Sequence, residues 1–225
     1  MINENLKRVK DRINKAAGQV GRDIDDIILV CVTKEVGVPQ IEEALSAGVT
    51  DIGENYIQDT VKKFNAIGKR VKWHFIGHLQ TNKAKEAVGI FDLIHSVDSF
   101  RLAHQISRRA VKLGIAKEVL VEVKTSREAT KYGIVPEEAP DLVEEMSVLP
   151  NLKITGLMTM APIVDTPEES RPYFRKLREL AEAIAAKKIE NVRMQWLSMG
   201  MTQDFEVAIE EGANMVRIGR AIFER

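Results

Sequence analysis

Short apolar runs alternate along the chain with amphipathic segments that have helical spacing. The clearest run, at residues 27–33, reads Ile-Ile-Leu-Val-Cys-Val-Thr. Runs of this kind, without polar alternation, are typical of strands in parallel sheets that helices cover on both faces. An amphipathic helix is predicted ahead of it, at residues 4–19. Strands are predicted at residues 27–33, 50–53, 72–76, 91–95, 118–123, 152–157, 194–197 and 214–218.

Helix-boundary signals fall between these strands. Pro39 suits a first helical turn, and Thr166 is a candidate N-cap with Glu169 three residues further on. Glycines stand where helix C-caps are expected, at Gly48, Gly114 and Gly212. Eight strands alternating with helices predict a single α/β domain over residues 1–225, a (β/α)8 TIM barrel. A doubly wound open sheet is the competing architecture.

Composition excludes several classes of function. Lys+Arg and Asp+Glu both number 33, so the net charge is zero and no overall field attracts nucleic acid or an anionic membrane. No apolar stretch is long enough to span a bilayer, and the first residues lack the apolar core of a signal peptide. We therefore expect a cytoplasmic protein, and we expect a monomer. The single cysteine, Cys31, is predicted to be a small buried hydrophobe.

Lys34 directly follows the first predicted strand, where a hydrophobic interior ends. In a TIM barrel the functional residues stand at the C-terminal ends of the strands. An amine at that place is expected to be partly desolvated, which favours the neutral nucleophile that forms a Schiff base with an aldehyde. The alternative is a solvated surface lysine, because most lysines are exposed.

A candidate phosphate site follows the seventh and eighth predicted strands. Residues 198–202 read Ser-Met-Gly-Met-Thr and precede a helix predicted at residues 203–209, whose N-terminal N–H groups would favour an anion. Arg217 adds a guanidinium that can bind phosphate through two parallel hydrogen bonds, with Gly219 close by. An amine and a phosphate site at one barrel mouth suit a phosphorylated aldehyde, such as pyridoxal 5'-phosphate (PLP) or a sugar phosphate.

Longer motifs occur in order along nearly the whole chain. Residues 73–83 read Trp-His-Phe-Ile-Gly-His-Leu-Gln-Thr-Asn-Lys. Further motifs lie at residues 32–34, 53–58, 94–98, 156–160, 197–201 and 216–219. Together they resemble the pyridoxal phosphate homeostasis protein family, which is related to the barrel domain of alanine racemase. Several long motifs in the same order are far more specific than one glycine pattern.

The resemblance implies a PLP site and a role for individual residues. Lys34 matches the lysine that holds the cofactor aldehyde as a Schiff base. Arg217 is expected to pair either with the phosphate or with the pyridine nitrogen, and an arginine beside that nitrogen would weaken the ring as an electron sink. The expected phosphate loop and the segment that completes the site comprise Ser198, Gly200, Thr202 and Gly219.

Other positions are implied to lie around the ring. Asn55 and His78 match residues near the ring or the wall of its site, and Met158 either contacts the cofactor or packs in the core. His74 is expected to be structural. Arg220 departs from the family pattern, in which a small hydroxyl residue is common, so we expect either no further phosphate hydrogen bond from that position or a charge in its place.

The same resemblance bears on catalysis. Racemases of the alanine racemase type use a second, β-rich domain and a tyrosine from across a dimer interface, and 225 residues leave no room for such a domain. Without that acid–base help, proton transfer loses about two to four orders of magnitude in rate. We expect a carrier or regulator of PLP with no robust catalysis, no catalytic residue and no metal, and apo forms of PLP enzymes as partners. The alternatives are a weak one-domain amino-acid racemase and a class I Schiff-base aldolase.

Overall fold

The computed structural model describes residues 1–126 and 132–224. Eight parallel strands form a closed barrel in chain order, and the last strand pairs with the first through residues 28–31. The strands are Ile28–Val32 (β1), Asp51–Glu54 (β2), Lys72–Phe75 (β3), Leu93–Val97 (β4), Lys117–Glu122 (β5), Leu152–Met158 (β6), Val192–Ser198 (β7) and Met215–Ile218 (β8). The predicted (β/α)8 barrel is confirmed, and closure of the sheet excludes the doubly wound alternative.

Helices cover the outside of the barrel. Within the described residues they are Ile2–Gln19 (α1), Val38–Ser46 (α2), Ile57–Ile67 (α3), Ala84–Ile90 (α4), Phe100–Leu113 (α5), Ala139–Ser147 (α6), Arg171–Ala186 (α7), Phe205–Glu210 (α8) and Arg220–Phe223 (α9). In this part of the chain, no helix is both long enough and apolar enough to cross a membrane.

The apolar strand residues divide between the two faces of the barrel wall. One set packs in the barrel interior: Val30, Leu93, Leu120, Met158 and Met215. Neighbours one position along, such as Cys31 and Ile94, belong to the larger core between strands and helices. Cys31 is fully buried, and burial raises the pKa of its thiol to about 12, which confirms the predicted unreactive hydrophobe.

Two helix boundaries differ from the prediction. Thr166 begins a short 3₁₀ turn, Pro167–Ser170, and its hydroxyl donates to the Glu169 carboxylate at 2.8 Å, so α7 begins later, at Arg171. The helix after β7 begins at Phe205, because the Met201 N–H is already bonded to the Asp204 carboxylate at 2.7 Å in the preceding turn. The predicted C-cap at Gly114 is confirmed, with the left-handed backbone that glycine adopts freely.

The N-terminal helix α1 completes the outer layer beside the two shortest helices, α8 and α9. The buried Asn5 side chain donates to the Ile222 carbonyl at 3.0 Å, which ties α1 to the last turn of α9. Arg12 makes two hydrogen bonds of 2.8 Å to Glu206, and its guanidinium lies over the Phe205 ring. Four- and six-residue helices cannot shield the wall at β8 alone, so α1 supplies the remaining cover.

Candidate functional site

The loops that follow β1, β6, β7 and β8 enclose a cavity of 660 Å³ at the C-terminal mouth of the barrel. Its volume falls within the range of small-molecule sites, about 300 to 1,000 Å³. The structure brings five of the predicted residues to this one cavity: Lys34, Asn55, Thr202, Arg217 and Gly219. Arg220 also lines it, so the position that departs from the family pattern adds a cation to the mouth.

Lys34 lies in the turn after β1, and its side chain is exposed. The fully buried interior ends one residue earlier, at Thr33. The next residue, Glu35, has a positive φ of 62°, so the chain turns sharply immediately after the lysine. The amine is thus presented to the cavity from the barrel rim.

A buried ion pair between Lys63 and Glu54 lies next to the turn that contains Lys34. The ammonium group of Lys63, on α3, donates to the Thr33 carbonyl at 2.7 Å and to the Glu54 carboxylate at 2.7 Å. The Thr33 hydroxyl donates to the same Glu54 oxygen at 2.5 Å. The side chains of Glu54 and Lys63 are 1% and 10% exposed, so water screens this pair little. The ends of β1 and β2 are thereby tied together next to the lysine.

Sequence reasoning missed this pair. Lys63 stands in a helix among other charged residues, and nothing local distinguishes it from a solvated lysine. Its one sequence signal is the helical spacing from Ile57 and Thr60 to Lys63 and Ile67, all buried on one face of α3.

Arg217 is buried at the wall of the cavity, 4% exposed. Its guanidinium donates to the Ser198 hydroxyl at 2.6 Å and to the Thr159 carbonyl at 2.9 Å. Burial lowers the pKa of Arg217 to about 10, against the opposing effect of the carboxylates of Asp204 and Glu122. Arg217 therefore stays charged at neutral pH, with donors still available on its planar group.

Two residues of the expected phosphate loop, Ser198 and Gly200, do not line the cavity. Ser198 is still the last residue of β7; its side chain is fully buried and bonded to Arg217 and, at 2.9 Å, to His95. Gly200 is also buried and has a φ of 92°, and a Cβ there would come within 2.6 Å of the Ala208 Cβ. Gly200 thus allows the loop to pack on α8, and only Thr202 brings a hydroxyl from this loop to the cavity.

Gly219 approaches the first strand closely. A Cβ at this position would lie 3.0 Å from the Val32 carbonyl oxygen, so a larger residue would push the loop after β8 away from β1. Met158 is fully buried in the interior cluster, whereas Met160, two residues on, lines the cavity. The structure thus places Met158 in core packing, one of the two roles that the sequence left open.

A second cavity of 520 Å³ adjoins the first and shares Asn55, Ile76 and Met160 with it. His78 lines this second cavity and stacks on Tyr132, with ring centroids 3.7 Å apart. The Asn55 Oδ1 atom is buried between the cavities without a hydrogen-bond partner among the described residues. A buried polar atom of this kind is expected to meet a ligand or water.

Glu122, at the end of β5, is a second residue that sequence reasoning missed. It lines the second cavity and is 3% exposed. Burial, followed by repulsion from Asp98, raises its pKa to about 7, although Arg217 acts in the opposite direction. Strongly perturbed carboxyls in clefts are concentrated at functional sites.

Comparison with known proteins decides the family. The alanine racemase N-terminal domain family matches residues 4–224. A curated relative from Aquifex aeolicus, named pyridoxal phosphate homeostasis protein, is 46% identical over 221 residues, covering 98% of this chain and 96% of the relative. The chain belongs to the pyridoxal phosphate homeostasis protein family. The relative of that name from Escherichia coli K12 is 37% identical and covers 99% of this chain and 95% of its own length.

Solved structures agree with this membership. PipY of Synechococcus elongatus, solved with PLP bound, is 32% identical with a TM-score of 0.87, over 99% of this chain and 100% of PipY. Alanine racemase from Clostridium difficile has a TM-score of 0.75 at 17% identity, over 99% of this chain and 57% of the racemase, and it shows the fold alone.

The residues at the mouth fit PLP chemically. An aldehyde needs an amine, which Lys34 would supply, and a dianionic phosphate needs hydrogen-bond donors and cations, which Thr202, Arg220 and the Gly219 backbone would supply. Arg217 offers donors to a ring acceptor from deeper in the barrel wall. The polar groups converge on one cavity and match the functional groups of the cofactor.

Proposed function

We propose that this protein binds PLP at the barrel mouth as a Schiff base on Lys34 and serves in PLP homeostasis as a carrier or regulator of the cofactor. The observation that carries the proposal is the convergence of Lys34, Thr202 and Arg217 on one cavity. The printed names of the relatives and the PLP-bound PipY structure support PLP over a sugar phosphate. PLP supplies a reversible reaction between its aldehyde and amines.

Different residues would bind the different functional groups of the cofactor. Thr202 on the loop after β7, Gly219 after β8 and Arg220 at the start of α9 would bind the phosphate. Arg217 lies two residues deeper than Gly219, on β8 itself, and would face the pyridine nitrogen. An arginine at that nitrogen holds it unprotonated, which limits carbanion chemistry and favours holding the cofactor over transforming amino acids.

The exposure of Lys34 supports a carrier. An enzyme that makes carbanions excludes water from the reacting atoms, because water weakens the electrostatic interactions within the site. Here the lysine stands in an exposed turn and lines the first cavity, which adjoins the second. Such a mouth admits competing amines, including lysines of apo forms of PLP enzymes, which we propose as recipients.

An absorption spectrum of the purified protein with PLP, before and after borohydride, tests the proposal. A visible band that disappears on reduction is expected, and intact-mass and peptide analysis should place the phosphopyridoxyl group on Lys34. Lys34→Ala should abolish the reducible adduct, whereas Lys83→Ala, at the neighbouring cavity, should retain it. Labelling of another lysine in the wild-type chain would contradict the assignment.

A further inference from the structure

A line of hydrogen-bonded side chains leads from the cavity through the barrel interior to the start of β2. From Arg217 it passes to Ser198, on β7, and from Ser198 to Nδ1 of His95, on β4. Nε2 of His95 is 2.9 Å from Nδ1 of His74, and Nε2 of His74 is 2.9 Å from Oδ1 of Asp51. Strands β4 and β7 are not neighbours in the barrel, so the bond between His95 and Ser198 spans its interior.

The two ends determine the direction of the line. Arg217 can only donate, and the Asp51 carboxylate can only accept. Because Ser198 accepts from Arg217, its own proton is free for Nδ1 of His95. Neutral rings that each carry their proton on Nε2 then satisfy every remaining contact, from His95 to His74 and from His74 to Asp51. If both neutral rings instead carried their proton on Nδ1, the unprotonated Nε2 of His74 would face the Asp51 carboxylate. Both atoms would then be acceptors, and they would repel each other.

Burial favours this neutral arrangement. His95 is fully buried, and burial is the largest cause that lowers its pKa well below the ordinary value. Burial disfavours the charge on Asp51, yet hydrogen bonds from His74 and Thr50 lower its pKa.

We propose that Asp51, His74, His95 and Ser198 are positioning residues: their one-directional line of hydrogen bonds holds the Arg217 guanidinium in a single orientation at the cavity wall. Two of its N–H groups are committed to Ser198 and to the Thr159 carbonyl, so the others are presented to the ligand in a fixed direction. The ligand must then offer an acceptor atom at that point. This inference rests on the proposed function only in taking PLP as the ligand.

Nitrogen NMR of the histidine rings tests the direction of the line in the full chain without PLP. Both His74 and His95 should be neutral and carry the proton on Nε2. Asp51→Asn replaces an obligate acceptor with a side chain that can also donate, so one or both rings should lose this single tautomer. A doubly protonated His74, or a wild-type ring with its proton on Nδ1, would overturn the proposed direction.

PLP titration of variants tests the effect on the site. His95→Leu removes the acceptor for Ser198 and should weaken PLP binding about tenfold to a hundredfold, the range for one hydrogen bond to a charged group. His95→Asn keeps an acceptor near the position of Nδ1 and should lose less. His104→Leu changes an exposed histidine on α5 and should bind as the wild type does.

Circular dichroism establishes that each variant is folded. If His95→Leu does not fold, the PLP affinities of His95→Asn and Asp51→Asn are compared with that of the wild type instead. Asp51→Asn should also bind PLP more weakly than the wild type. Wild-type affinity in folded His95→Leu would overturn the positioning role. Failure of the wild-type chain to bind PLP would refute the proposed function and with it the role at the ligand, while the ring tautomers would still decide the direction of the line.

Discussion

Thr202 carries the hydroxyl that remains at the cavity once Ser198 is enclosed in the barrel interior. Thr202→Val preserves the shape of the side chain and removes its hydrogen bond. If the hydroxyl binds phosphate, the affinity for PLP should fall about tenfold, the lower part of the range for hydrogen bonds to charged groups. Titrations with PLP and with pyridoxal, which lacks the phosphate, measure this.

Pyridoxal is the internal control for that substitution. Its affinity should be the same in wild type and Thr202→Val, because the lost hydrogen bond involves only the phosphate. An equal loss for both ligands would assign Thr202 to the ring or to the fold of the loop instead.

Glu122 should make stability depend on pH. Burial and Asp98 raise its pKa from 4.5 to about 7, so the folded chain binds its proton more tightly than the unfolded chain does. The stabilising contribution is present below pH 4.5 and is lost as the pH rises through about 7. The full difference is about 3 kcal/mol in the free energy of unfolding.

Urea unfolding of wild type and Glu122→Gln at several pH values from 4.5 to 8 measures this contribution. The amide cannot ionise, so the variant should gain stability relative to wild type as the pH rises. A constant difference between the two proteins across this range would contradict the raised pKa.

The junction of β1, β2 and α3 depends on the buried ion pair behind Lys34. Lys63→Met retains most of the apolar stem but leaves the Glu54 carboxylate buried without its cation, which typically costs about 3 to 5 kcal/mol. The end of β1 also loses a donor to the Thr33 carbonyl, so the rate of borohydride-trapped PLP adduct formation at Lys34 should fall. Urea unfolding and the trapping rate measure the two effects.

The double variant Lys63→Met, Glu54→Gln is the matched control. It removes both charges and should recover part of the lost stability, because the uncompensated carboxylate is gone. A single variant as stable as the wild type would show that Glu54 does not need the cation.

The open mouth of the whole barrel predicts transfer of cofactor. Lys34 is exposed, and two cavities that share Asn55 and Met160 surround the rim. Incubation of the PLP-loaded protein with an apo PLP enzyme, in the presence of a scavenger of free PLP, should restore activity of that enzyme. Lys34→Ala, loaded at the same PLP concentration, is the control. If the scavenger abolished the restored enzyme activity, PLP would be released into solution and not transferred directly. Rapid amino-acid racemisation by the protein itself would contradict a carrier role.

The strand positions and the barrel follow from the local pattern of apolar and polar residues. Strand-like segments of four to seven residues that alternate with amphipathic segments have few ways to bury both faces, and β1 to β8 lie within a few residues of the predicted ranges. The sequence also placed Lys34, Asn55, Thr202, Arg217 and Gly219 at one end, because parallel strands bring all their C-terminal ends to the same side.

The directions of the side chains at those strand ends depend on the folded barrel and could not be predicted. Ser198 and Thr202 are equivalent hydroxyls in the sequence, yet Ser198 is enclosed because it still belongs to β7, whereas Thr202 stands beyond the turn. His95 on β4 reaches Ser198 on β7 across the barrel interior, and Lys63 reaches Thr33 from a helix 30 residues away. Contacts of this kind depend on the closure and register of the sheet, which local spacing does not encode.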